Sequence, residues 1–269
     1  MTTMQKVIKY AALAFALFLA LSIIGGIVGG VALLGGFIDS DTTTDDLKTY
    51  EIDPSSEIMF LDIEIGAADF TIKEADAFKV ESNLKNLTVE ENNGTLTIKE
   101  KTSFGRYDGA QLTLYIPMDK GFRKADIVTG AGRFTADSLI ANELTLVLGA
   151  GEVYLKELGA PSSAHVVGGA GKLTIAGGTL CNLELEMGVG QLNLTATLYG
   201  ENELDLGVGE SNITLIGPEE NYSVDIEKGL GGITVDGKGV SDYGRVGNGQ
   251  GSLDIDGGVG AIHLNFKEA

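Results

Sequence analysis

"LTLVLGAGEVYLKEL", residues 144–158, sets Gly149-Ala150-Gly151 between two runs of alternating apolar residues. A glycine-rich loop after a strand either cradles a phosphate at the start of a helix or turns the chain through a sharp corner. A phosphate loop occurs once in a chain, whereas a corner recurs. Gly-x-Gly elements begin at Gly130, Gly149, Gly169, Gly188, Gly207, Gly229 and Gly258, and close with Gly132, Gly151, Gly171, Gly190, Gly209, Gly231 and Gly260. The intervals are 19, 20, 19, 19, 22 and 29 residues, with a degenerate Gly249-Gln250-Gly251 inside the last. The element is therefore a repeated corner.

The columns beside the corner define what it joins. Three residues before the first glycine stand Ile127, Leu146, Val166, Leu185, Leu204, Ile226 and Ile255, all apolar. One residue earlier stand Asp126, Thr145, His165, Glu184, Glu203, Asp225 and Asp254, all polar. Beyond the corner, outward Thr135, Tyr154, Thr174, Asn193, Asn212, Thr234 and His263 alternate with mostly apolar neighbours. Period-two alternation on both sides predicts two short strands per repeat, each with one buried face. Nineteen or twenty residues are too few for a strand and a crossover helix. They suit one coil of an all-β solenoid, with like strands about 4.8 Å apart and apolar columns running through the core.

Residues 126–269 are expected to form regular coils, and residues 50–125 irregular first coils or a cap. The latter carry strand-like runs off the repeat spacing and a hairpin signal at "ENNG", residues 91–94. The last strand pair, ending "AIHLNF", is expected to lie uncovered at the end of the stack.

Composition bounds the partners. The chain carries 19 Lys and Arg against 38 Asp and Glu, a formal charge of −19. Residues 1–38 hold Lys6, Lys9 and no acid, so the remainder holds 17 basic and 38 acidic residues, a net of −21. That excludes nucleic acid, which requires a basic footprint. Tyr10–Ile38 is a run of 29 uncharged residues, long enough for a transmembrane helix and too long for the core of a cleaved signal peptide. Residues 1–9 are expected to be cytoplasmic, 10–38 to span, 39–49 to form an acidic linker and 50–269 to lie outside the membrane, with Lys6 and Lys9 held inside. Gly25/Gly29 and Gly26/Gly30 are small-xxx-small pairs that offer a dimerisation face. The single cysteine, Cys181, is expected to be a small buried residue.

"LDIEIGAADFTIKE", "LTLYIPMDKGFRKADIVTGAG" and the repeated L-x-L-x-x-G-x-G units resemble the bacterial family of β-strand-repeat domains named putative adhesins. The resemblance spans about residues 50 to 266. It implies a right-handed single-stranded β-helix, often tethered to a membrane segment, and extends to anchored accessory proteins of cell-envelope stress systems. It brings no catalytic residues with it.

Catalytic signals are thin. The two histidines, His165 and His263, stand on outward columns several corners apart, which rules out a two-histidine metal site within one chain. No Ser-His-Asp set, P-loop or zinc spacing occurs. "GGVGAIHLN", residues 257–265, has the glycines of a calcium nonapeptide but Ile262 where an aspartate must ligate. The distinctive feature is acidic. Glu184 and Glu186, Glu203 and Asp205, and Asp225 and Glu227 occupy the two outward columns of three successive coils. Stacked like charges are destabilising, and either water and salt or a weakly held Ca2+ or Mg2+ offsets them. No other cofactor is implied.

These features favour a non-enzymatic, membrane-anchored scaffold on the extracytoplasmic side of a bacterial cell membrane, binding glycan, other envelope material or a membrane partner. An accessory or sensory role in envelope stress and a glycan-active β-helix enzyme are the alternatives.

Overall fold

The computed structural model describes residues 42–53, 56–101, 109–227, 229–240, 246–249 and 251–268. The expected span over 10–38, its Gly25, Gly26, Gly29 and Gly30 face, and residues 39–41 lie outside them. Among the described residues no helix is long and apolar enough to cross a membrane.

The described chain is all-β, with nineteen strands and a single 3-10 turn at Glu219–Asn221. The first part holds β1 (Thr43–Glu51), β2 (Phe60–Ala75), β3 (Lys79–Leu84), β4 (Leu87–Asn92), β5 (Thr95–Glu100) and β6 (Gln111–Pro117). The middle holds β7 (Gly121–Ala136), β8 (Leu139–Leu155), β9 (Leu158–Ala160), β10 (Ser163–Ile175), β11 (Gly178–Cys181), β12 (Leu183–Tyr199) and β13 (Glu201–Ile216). The last part holds β14 (Tyr222–Glu227), β15 (Ile233–Val235), β16 (Lys238–Val240), β17 (Val246–Gly247), β18 (Gly251–Val259) and β19 (Ile262–Lys267).

In the middle, each repeat lies parallel on the one before it and in register. Ile127 pairs with Leu146, Leu146 with Val166, Val166 with Leu185, and Leu185 with Leu204. A shorter third segment joins the same ladder, β9 lying between the start of β8 and β11, and β11 against the end of β12. The apolar column is buried as its alternation predicts. Ile98, Ile63, Ile127, Leu146, Val166, Leu185, Leu204, Ile255 and Ile226 are each 1% exposed or less. Burying such a side chain contributes about 1.5–3 kcal/mol.

The corner shows why both glycines are needed. Gly151 has φ +132° and Gly190 φ +145°, values that a side chain resists. A Cβ on Gly190 would also overlap the Gly171 carbonyl oxygen, and one on Gly188 the Gly169 carbonyl oxygen. The backbones of successive corners thus touch directly, which a residue with a side chain would prevent.

Both ends depart from the expected order. The glycine column starts before Gly130, at Gly66 in β2, because β2 stacks in register on β7 with Ile63 opposite Ile127. Residues 60–75 are therefore a regular rung rather than an irregular coil. The insertion that follows folds back to the far side of β2, where β5 and β6 share one more rung. The expected linker also ends early, since Thr43–Glu51 forms a strand antiparallel to β3. At the other end β18 and β19 lie on β13, and β14 and β15 lie outside them. The Gly258 rung is thus inserted between the Gly207 and Gly229 rungs. "AIHLNF" is covered by β15 after all, and Gly249 packs on the Asn221–Tyr222 backbone instead of on another corner.

Asn202 marks the insertion. It is buried at a position where neighbouring rungs carry Leu183 and Leu253. Its Oδ1 accepts from Leu183 N (3.0 Å), and its Nδ2 donates to Ser252 O (2.8 Å) in the inserted rung. Antiparallel strands cover the stack ends: β3 and β4 on β6 and β5, and β16 and β17 on β15 and β14. Such covers block edge-to-edge pairing.

The corner geometry separates glycines from the residue between them. Gly190→Ala is expected to cost about 3 kcal/mol or more, from strained φ and backbone overlap together. Val189→Ala, on an exposed side chain in the same corner, should cost less than about 1 kcal/mol. Thermal or denaturant unfolding of the two variants measures the difference.

Candidate functional site

The acidic columns form a wider face than the repeat order predicts. Glu184 and Glu186 on β12 pair in register with Glu203 and Asp205 on β13. Those meet Asp254 and Asp256 on β18, which in turn meet Asp225 and Glu227 on β14. Eight carboxylates therefore stand in two columns across four rungs, about 4.8 Å apart along each column. Asp254 and Asp256 hold the same repeat positions as the other six. The expected face leaves them out because, in chain order, the degenerate Gly249-Gln250-Gly251 corner reads as a rung between Gly229 and Gly258.

Alternation explains how the face arises. Glu184 and Glu186 flank inward Leu185, and Glu203 and Asp205 flank inward Leu204, so burying the leucines presents the acids. The same columns are compensated at the other end of the stack. There Asp62 meets Lys99 and Asp126 meets Lys124, each at 2.8 Å. The transition comes at His165, whose Nδ1 lies 3.1 Å from Glu184 Oε2. From residue 183 to residue 227 the chain holds ten Asp and Glu and no Lys, Arg or His.

Asp205 feels this most. Burial first, and then Glu203, Asp256, Glu186 and Glu184, push its carboxyl up to about 6. It sits half-buried near the middle of the columns, where an ionised carboxylate loses water and gains like-charged neighbours.

A cation bound by several ligands needs them to converge on one point. Among the described residues no group of three or more His, Cys, Asp or Glu is arranged to hold a metal ion. The columns run side by side instead of closing around a centre.

The outward polar column of the second strand set bonds largely to itself. Thr135 donates to Thr71 (3.2 Å), Asn193 to Thr174 (3.4 Å) and Asn212 to Asn193 (3.2 Å). Thr234 Oγ1 lies 2.8 Å from His263 Nδ1. The two histidines are thus far apart and serve separate ladders. Cys181 is partly buried on β11, not fully buried as its setting predicts, because it alternates with inward Leu180 on this short segment. Two cavities of about 30 and 20 Å3 lie beneath the corners, the first near Phe70 and Phe134, the second near Met187 and Ser211. Each is water-sized and far below the volume of a small-molecule pocket.

Residues 58–256 match the model of the family described as Toastrack DUF4097. No curated protein matches the sequence. Among solved structures the chain is similar to a "putative cell adhesion protein" from Clostridium sporogenes, at 18% identity and a TM-score of 0.37, covering 82% of this chain and 99% of that one. It is similar to a "putative adhesin" from Bacteroides fragilis, at 13% identity and a TM-score of 0.36, covering 84% and 100%. It is also similar to a "putative lipid binding protein" from Parabacteroides distasonis, at 16% identity and a TM-score of 0.37, covering 82% and 98%.

The raised carboxyl of Asp205 sets a sign for the pH dependence. Its ionised form is disfavoured in the folded state, so its contribution costs stability above pH 6. That cost is relieved as pH falls through 6 toward the ordinary value of 3.8. Asp205→Asn is expected to raise the unfolding midpoint at pH 7.5 by about 2–4 °C. It should also flatten the rise in stability that the parent shows between pH 7.5 and 5, as followed by thermal melts across that range.

Proposed function

The chain belongs to the Toastrack DUF4097 family, and we propose that it is a non-enzymatic scaffold, anchored in the bacterial cell membrane and displayed outside it. In this reading the rungs wind as a right-handed β-solenoid, and its faces hold envelope material or a membrane partner. The observation that carries the reading is the in-register stack. Among the described residues it fills its interior mainly with apolar side chains and turns the acidic and Thr/Asn columns outward, so chemistry is displayed along ladders. The water-sized cavities support a binding role over turnover, because a substrate needs an enclosing site of several hundred Å3.

Anchoring is supported by the sequence. Tyr10–Ile38 is uncharged over 29 residues, and Lys6 and Lys9 favour retention of the short N-terminal side in the cytoplasm. The strongly acidic remainder keeps a displayed domain soluble and away from an anionic membrane surface.

Cell fractionation and protease shaving test this directly. The full chain expressed in a bacterium is expected in the membrane fraction and resistant to alkaline extraction, with its repeat domain cleaved by protease added outside protoplasts. Deletion of residues 1–38 should release it from the membrane. A full chain recovered as soluble protein, or a repeat domain protected in intact protoplasts, overturns the reading.

A further inference from the structure

The middle residue of each corner faces outward, and along the stack these residues form a ridge. In the early rungs the ridge is Ala131, Ala150 and Ala170. In the four rungs that carry the carboxylates it becomes Val189, Val208, Val259 and Leu230, exposed by 43%, 46%, 48% and 70%. Val189 pairs with Val208, Val208 with Val259, and Val259 with Leu230, so the four form one line. Leu230 is held on that line by its backbone, its N–H donating to Gly258 O (2.7 Å) and its carbonyl accepting from Gly260 N (2.8 Å).

The flanks of the ridge are bare. Glycines stand on both sides of each middle residue and contribute no side chain. Three residues before each ridge residue stand Glu186, Asp205, Asp256 and Glu227, the nearer of the two acidic columns. Two costly features therefore run in parallel over the same four rungs. One is an apolar line exposed to water, and the other is a line of stacked carboxylates. A single occupant that brings both apolar and basic side chains relieves both.

Spacing selects the form of that occupant. Rungs are about 4.8 Å apart, whereas an extended strand presents same-face side chains only every two residues, about 6.6 Å. A helix advances 5.4 Å per turn, so a helix laid along the stack meets each rung with about one turn. Charge complementarity selects its chemistry, since the two outward columns hold eight carboxylates and no basic side chain over these four rungs. A second copy of this chain would bring carboxylates against carboxylates.

We propose that the Val189–Val208–Val259–Leu230 ridge and its carboxylate flank dock a basic amphipathic helix of a partner protein, aligned with the stack. Its apolar stripe lies on the ridge, and Lys or Arg on one flank faces Glu186, Asp205, Asp256 and Glu227. This deepens the scaffold reading by assigning the face and the chemistry of the partner.

The probe is a synthetic four-turn helix with Leu along one stripe and Lys along its flank, titrated against the full chain in phosphatidylcholine nanodiscs. Signal from empty discs is subtracted. Glu186→Gln with Asp205→Asn is expected to weaken binding about tenfold or more, and so is Val208→Thr with Leu230→Thr. A peptide of identical composition, scrambled to break the stripe, should also bind at least about tenfold more weakly. Equal binding of the scrambled peptide, or unchanged binding by either variant, overturns the proposal. Loss of fold in a variant, seen as a lost melting transition, transfers the decision to the scrambled peptide, which leaves the protein untouched. Localisation and protease shaving of the same chain decide the scaffold reading separately, so failure of the peptide leaves that result standing on its own.

Discussion

Backbone meets backbone at every corner of this stack, and that contact governs what else the chain can do. A Cβ on either glycine of a Gly-x-Gly corner would enter the carbonyl oxygen of the rung below. With both positions bare, the corner carbonyls and amides of successive rungs approach closely enough to continue the ladder around the bend. The strands on either side then stay in register, so a leucine on one rung lies on the leucine of the next. Hydrophobic burial stabilises the columns, but the corners decide that columns exist.

Periodicity of this kind brings a liability with its order. A stack has two open edges, and a chain terminus lying at an edge frays readily. This chain resolves both ends by leaving chain order. Near the start, β5 and β6 fold back outside β2. Near the finish, β18 and β19 slip beneath β14 and β15, so the final strands pair on both sides. The outermost rungs are internal segments held from both directions, and antiparallel strands cover them. Asn202 reinforces the inserted rung, because its buried amide is satisfied partly by Ser252 of that rung.

In-register stacking amplifies whatever a column carries. Where the columns contain Asp62 and Asp126, lysines sit beside them and the face is balanced. Where they contain Glu184 through Glu227, the same geometry aligns like charges, and Asp205 near their middle is pushed up to about 6. The corner residue grows from alanine to valine and leucine over those same rungs. Repetition thus builds two faces of opposite character on one body, and the difference is set by which side chain occupies an outward slot.

Much of this was legible in the chain itself. The period, the all-β class, the inward columns and the need for glycine follow from residues at fixed spacing, since alternation and φ are local properties. Six of the eight carboxylates fall on one face of successive coils for the same reason. The order of the end rungs was not legible. Each rung offers its neighbours the same hydrogen-bonding edge, the same apolar column and the same glycines, so local pattern fits Gly229 on Gly207 as well as Gly258 on Gly207. Only contacts between distant segments, such as Asn202 with Ser252 and Ile63 with Ile127, distinguish the arrangements, and these placed Asp254 and Asp256 within the acidic face. Sequence alone determined what a rung is; tertiary structure decided which rungs are neighbours, because that choice rests on side-chain complementarity across the stack and not on the repeat.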